Sequence, residues 1–144
     1  MLTQEVVHSV SVTVSKNKDQ VFNYIREGKN LSEWLVGTPD VTEISPGEYE
    51  ASRAEIRYIF IESLPASDPE GQDLVYFDVG AERDRMNRRI MAILSPVAAK
   101  ENKMPQCHIE LIAGRTSDMS DVRWQDVCDR HEAEIHNLKL ILDR

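Results

Sequence analysis

Between Ser120 and Arg144 the chain repeats one stripe: Trp124, Val127, Cys128, His131, Ile135, Leu138 and Leu142. At about 100° per residue these positions share one side of a helix. Asp126, Asp129, Arg130, Glu132, Glu134, Asn137 and Asp143 take the other sides. The pattern therefore predicts a long helix that presses one narrow face onto a large apolar surface. Ser120 or Ser117 can cap its start. Asp118 and Asp121 suit the positive end of its dipole, and Lys139 and Arg144 the other end.

At the opposite end of the chain, Glu5 to Val14 alternates. Val6, His8, Val10, Val12 and Val14 lie on one side, and Val7, Ser9, Ser11 and Thr13 on the other. This is the period of a half-buried strand. Asn17 with Gln20 forms a capping box for a short helix whose apolar side is Val21, Phe22 and Ile25, ending at Gly28. Asn30 with Glu33 repeats the device for a second short helix carrying Leu31, Trp34 and Leu35, stopped by Gly37 and Pro39. Six strand-like runs follow: Val41 to Ile44, Glu48 to Arg53, Ala54 to Glu62, Gln72 to Val79, Arg88 to Ser95 and Gln106 to Ala113. Turn signals and a polar loop from Ala99 to Pro105 separate them, and links this short predict antiparallel neighbours. The resulting expectation is an α+β fold: a seven-stranded curved antiparallel sheet around the last helix, with two short helices after the first strand. One domain, residues 1–144, is expected.

Composition narrows the function classes. With 25 acidic and 17 basic residues the net charge is -8, which argues against a nucleic-acid partner, because that affinity rests on neutralising phosphates. The longest unbroken apolar run is Ile90 to Leu94, so no membrane span is expected. Cys107 and Cys128 are too few for a secreted disulfide framework, and a cytoplasmic location with reduced thiols is expected. No phosphate loop, paired-cysteine zinc spacing or nucleophile elbow occurs, so no metal, no cofactor and no particular catalytic residue is predicted.

Several segments resemble the helix-grip superfamily, which includes birch-pollen-allergen-like proteins, steroidogenic acute regulatory lipid-transfer (START-like) domains, polyketide cyclases and homologues of the activator of the heat-shock-protein-90 ATPase. Val12-Thr13-Val14-Ser15 and Asp19 to Ile25 look like the opening strand and helix of that superfamily, and Asn30-Leu31-Ser32-Glu33-Trp34 looks like its second helix. Trp124 with Glu134 to Leu142 looks like its closing helix. Gln106 to Leu111 departs from the threonine-led strand of the co-chaperone-like branch. Independently of the resemblance, a single helix stripe is narrower than the concave face of a seven-stranded sheet, so the fold itself suggests an apolar cavity between sheet and last helix.

His131 is the main candidate for a polar handle in that cavity, because an imidazole in an apolar stripe needs a hydrogen-bond partner. The expected ligand-binding residues are Trp34, Tyr58, Phe60, Ile109, Leu111, Cys128, His131 and Ile135, with Ile56, Tyr58 and Phe60 facing inward. Cys107, Cys128, His131 and His8 could together make a Cys/His metal site, but structural zinc ligands arrive in close pairs with defined spacing, so no metal is expected and Cys107 and Cys128 read as buried thiols. Arg83, Arg85, Arg88 and Arg89 read as a solvated hairpin tip. The expected function is binding or transport of a small apolar or amphipathic ligand. The alternatives are a cyclase-like enzyme using His131 and Tyr58 as acid and base, and a co-chaperone-like interaction domain. Outward-facing Ile59, Ile61, Met91 and Ile93 would support a weak homodimer.

Overall fold

The structure, a computed structural model, describes residues 6–38, 40–51, 57–98 and 103–144. Seven strands form one curved antiparallel sheet. They are β1 (Val7–Val14), β2 (Val41–Ser45), β3 (Glu48–Ala51), β4 (Tyr58–Leu64), β5 (Asp73–Glu82), β6 (Arg85–Val97) and β7 (Gln106–Gly114). Their spatial order is β1-β7-β6-β5-β4-β3-β2. Only the β1–β7 pairing joins strands distant in sequence, so every other neighbour is a hairpin or meander link. Helices α1 (Lys18–Ile25) and α2 (Leu31–Trp34) follow β1, and α3 (Asp121–Leu142) closes the chain with 22 residues. The predicted Ile56, Pro39 and part of the Ala99 loop fall outside the described residues.

The caps are partly those the sequence predicts. Asn17 and Gln20 form the reciprocal box at α1, and the Ser120 side chain accepts from the backbone N–H of Arg123 at the start of α3. Asn30, expected to cap α2, makes no such bond. Its amide instead donates to the carbonyl of Tyr24, and Glu33 accepts from the Tyr24 hydroxyl. Gly28 is required by packing, because a Cβ there would stand 2.1 Å from the Tyr49 ring.

One sheet face and α3 enclose the core. Val14, Val75, Phe77, Ala92, Leu94, Cys107, Ile109 and Leu111 point inward and meet Ile135, Leu138 and Leu142. The alternation of β1 and β7 is therefore as predicted. That of β4 is inverted: Ile59 and Ile61 are buried in the core, while Tyr58 and Phe60 lie on the outer face. The strand is apolar on both faces, so alternation cannot set its phase. Branched isoleucines fill the dense interior, and the aromatic rings remain outside where Arg57 stacks over Tyr58. Ile59 and Ile61, expected to face outward, therefore do not contribute to a dimer surface.

Candidate functional site

The site is built at the N-terminal half of α3, where its stripe begins to leave the sheet. His131, Ile135, Leu138 and Leu142 are buried, whereas Val127 and Cys128, one turn earlier, are only half-buried. Beneath that turn lies a cleft holding about 60 Å³ of space for water-sized molecules. Its apolar wall comes from Leu35, Val36, Val79, Ile90, Ala113 and Val127. Thr38, Arg89, Arg130, His131 and Glu134 supply polar groups.

Two local features bring those polar groups together. At β6 the pairing runs Phe77 to Ile90 and then Asp78 to Arg88, so Arg89 is an extra residue in the ladder. A bulge of this kind re-aims a side chain, and Arg89 reaches the cleft while Arg88 stays outside, bonded to Asp78 and Glu62. After α2, Gly37 adopts φ +76°, open to glycine at little cost. The Val36 backbone N–H there donates to Glu134 Oε2 at 3.1 Å. One turn further along α3, the Asn137 amide donates to the Trp34 carbonyl at 3.2 Å.

The electrostatics of the cleft are unusual. Burial pushes the Glu134 carboxyl up to about 8, against the bond from Val36 and the fields of Arg130 and Arg89. Burial, and then the neighbouring His8, lowers His131 to about 4. Both groups are thus uncharged near neutral pH, one as an acid and the other as a base. His131 Nδ1 lies 3.0 Å from His8 Nδ1. Its Nε2 is buried without a hydrogen-bond partner among the described residues. An unpaired buried polar atom costs about 1–3 kcal/mol.

Of the predicted site residues, only His131 lines the cleft. Ile109 and Leu111 are fully buried in the packed core with Ile135, and Cys128 lies beside the cleft on α3. Trp34 is fully buried against Phe77, with ring centroids 5.7 Å apart, and holds the loop that roofs the cleft. Tyr58 and Phe60 are on the far face of the sheet. Glu134 and Arg89 were missed. The spacing His131 to Glu134 is a helical i,i+3 pair, a signal available in the sequence, but a glutamate there reads as solvated; the bulge that turns Arg89 inward leaves no trace in composition. His8 and Cys107 stand six positions apart on their paired strands, since His8 faces Ala113 and Val14 faces Cys107, a separation of about 20 Å. The four thiols and imidazoles therefore do not converge. Burial raises the Cys107 thiol to about 11 and also raises Cys128, which makes both poor nucleophiles.

No family model and no functionally curated protein matches the sequence. Solved structures do. The Aha1 dimer from Colwellia psychrerythraea aligns with a TM-score of 0.61 at 8% identity, over 96% of each chain. A conserved protein from Geobacillus kaustophilus aligns at 0.59 and 9%, over 95% of each. A STAR-related lipid transfer protein from Xanthomonas axonopodis aligns at 0.59 and 11%, over 96% of this chain and 86% of that one. At such identities the likeness is one of architecture, and the chain has the helix-grip fold of the START-like proteins.

Proposed function

We propose that the protein binds a small apolar or amphipathic ligand whose polar end enters the cleft between α3, the α2–β2 loop and strands β5 to β7. The observation that carries this reading is the buried His131, a polar residue on an otherwise mostly apolar cleft wall whose Nε2 has no hydrogen-bond partner among the described residues. Convergent polar groups in an apolar concavity are what orients a small ligand. The centre of the core is filled by Trp34, Phe77, Ile109, Leu111 and Leu138, so the reading is for a compact head group at one end of the helix. The lipid-transfer neighbour supports the same class of ligand.

Replacing His131 by leucine is expected to leave the fold as stable or more so, since the orphaned nitrogen disappears and His8 keeps access to water. Binding of a ligand with a polar head should weaken by about 1–3 kcal/mol. Thermal denaturation together with titration of a fluorescent apolar probe tests this, and native mass spectrometry of freshly purified protein tests for a co-purified small molecule. A bare protein, with probe affinity unchanged and stability sharply lower in the variant, would end the reading.

One observation favours a second reading. His131 held as a base and Glu134 held as an acid, three residues apart, match the pairing used for proton transfer on a carbonyl compound. Glu134 takes the place that the sequence suggested for Tyr58. An interaction role such as the Aha1 neighbour invites would use the surface instead, and would be indifferent to the His131→Leu change.

A weak homodimer belongs to the same proposal, on a corrected set of residues. Met91 and Ile112 pair side by side across β6 and β7 on the outer face, next to Ile93, whereas Tyr76 beside them is covered by the Arg88 guanidinium. Sedimentation at high concentration is expected to show association that Met91→Lys abolishes; a wild-type protein that stays monomeric would refute it.

A further inference from the structure

The polar wall of the cleft is rich in hydrogen-bond donors. Arg89 from β6 and Arg130 from α3 both line it, and a guanidinium carries several N–H donors and no acceptor. Thr38 adds a hydroxyl on a residue that is buried. Both guanidinium charges act on the Glu134 carboxyl, so the three groups lie close together.

Arg89 is there by construction. Ile90 lines the cleft, so plain alternation along β6 would send Arg89 to the outer face. The extra residue in the ladder turns it back to the inner side. The acidic groups that answer the two arginines stand toward water. Arg130 is bonded to Asp126 at 2.9 Å, and that carboxylate is 55% exposed. Asp118, held below the usual carboxylate range first by the Thr116 hydroxyl and more weakly by Arg89, is 73% exposed. A carboxylate on the water side is screened and occupies only part of a guanidinium's fork. The chain as a whole carries -8, yet burial leaves Glu134 and His131 uncharged near neutral pH. The wall is therefore cationic in an acidic protein.

A donor-rich, cationic wall in an apolar concavity suits a head group that is negative and only accepts. A carboxylate is such a group, and its two oxygens match the planar guanidinium. The space of about 60 Å³ holds a head of that size and leaves the body of the ligand against Leu35, Ile90 and Val127. We propose that the cleft recognises an apolar monocarboxylic acid, its carboxylate held by Arg89 and Arg130 with the Thr38 hydroxyl beside them. This rests on the cleft being the ligand site.

Glu134 gives the site a pH dependence. Protonated, its carboxyl shares a hydrogen bond with the ligand's carboxylate; ionised, it repels that carboxylate and competes for the same arginines. The change is centred at about 8. The other charged or titratable groups on the elements around it are Arg130 and His131 on α3, Arg89 on β6, His8 on β1, Asp118 before α3, and Glu33 on α2, which is bonded to Tyr24. His131 is already neutral above about 4, and burial raises the Cys128 thiol above its ordinary value. The α2–β2 loop, β5 and β7 bring Leu35, Val36, Thr38, Val79 and Ala113 to the cleft, none of which titrates.

Equilibrium dialysis of 2-naphthoate and of 2-acetylnaphthalene, in which a methyl group replaces the charged oxygen, tests the proposal on the whole chain. Near pH 7 naphthoate is expected to bind at least about tenfold more tightly, the worth of one hydrogen bond to a charged group. Arg89→Met and Arg130→Met should each cut that preference several-fold while leaving the ketone's affinity and the denaturation midpoint close to wild type. Arg89→Lys, which keeps the charge and loses the fork, should retain part of it. At about pH 9 naphthoate should bind up to roughly tenfold more weakly, because only about one chain in ten still has Glu134 protonated, and Glu134→Gln should remove that loss. The wild-type comparison and Arg89→Lys decide the matter if a methionine variant does not fold. Equal binding of the two compounds, a preference that survives both methionine variants, or naphthoate binding that ignores the rise in pH would each overturn the carboxylate site while leaving the cleft open to a neutral head. Failure of both compounds to bind would overturn the cleft as the ligand site and this proposal with it.

Discussion

Replacing Glu134 by glutamine is expected to flatten the alkaline side of the stability curve. The carboxyl ionises at about 8 in the folded chain against 4.5 for an exposed group. Between those values the native state binds a proton that the unfolded state has lost. Its contribution is fully present below about pH 4.5 and lost as pH rises through 8, at roughly 1.4 kcal/mol per pH unit. His131 acts in the opposite sense: its folded value of about 4 lies below the ordinary 6.5, so stability is lost as pH falls from 6.5 toward 4. From pH 4.5 to 6.5 the two slopes offset each other, and from 6.5 to 8 Glu134 acts alone. Wild-type protein should therefore lose on the order of 2 kcal/mol across that last interval through this one group. Glu134→Gln keeps an oxygen for the Val36 N–H and carries no charge, so it should lose none of this. Urea denaturation at a series of pH values measures the difference, and parallel curves for the two proteins would sink the assignment.

Trp34→Ala should cost about 3–5 kcal/mol, the usual range for removing a fully buried aromatic side chain. Its ring is 0% exposed and meets Phe77 edge-on at an interplanar angle of 74°. Helix α2 is only four residues long, far too short to persist without tertiary contacts, so this side chain also secures the loop from Leu35 to Thr38 that roofs the cleft. Probe binding should fail in the same variant. Trp34→Phe should be much milder, because Nε1 of the indole has no hydrogen-bond partner among the described residues and a smaller ring still fills most of the space. Equal losses in the two variants, read from denaturation midpoints, would show that the indole nitrogen matters in a way the structure does not explain.

The order of elements was legible because each carried its own local signal: the valine alternation of β1, the box at Asn17 and Gln20, and the stripe that ends at Leu142. These depend on neighbours in sequence. The phase of β4 depends on what stands across the sheet, and with isoleucine on one side and aromatics on the other either phase satisfies the pattern. The site was less legible than the fold for the same reason. His131 stood out as a polar residue in an apolar stripe. Glu134 looked like one more charge on a solvated side until the Val36 N–H was seen to reach it, and Arg89 looked like its neighbours at the hairpin tip until one extra residue in β6 turned it inward.

The pairing of β1 with β7 has a consequence for how the protein is made. Ser9 and Glu110, bonded across these strands, are 101 positions apart, and the end of β1 is tied to α3 by Lys139 on the Thr13 carbonyl and Asp143 on the Ser15 N–H. At synthesis rates of roughly 5–20 residues per second, the first strand emerges about 5 to 20 seconds before its partner. During that time Val10, Val12 and Val14 have neither a hydrogen-bonded neighbour nor a helix to cover them. Edge strands left open in this way invite pairing with other chains, and non-local closure of this kind slows folding. The first strand therefore stays open to wrong pairing until its partner strand and the final helix have been made.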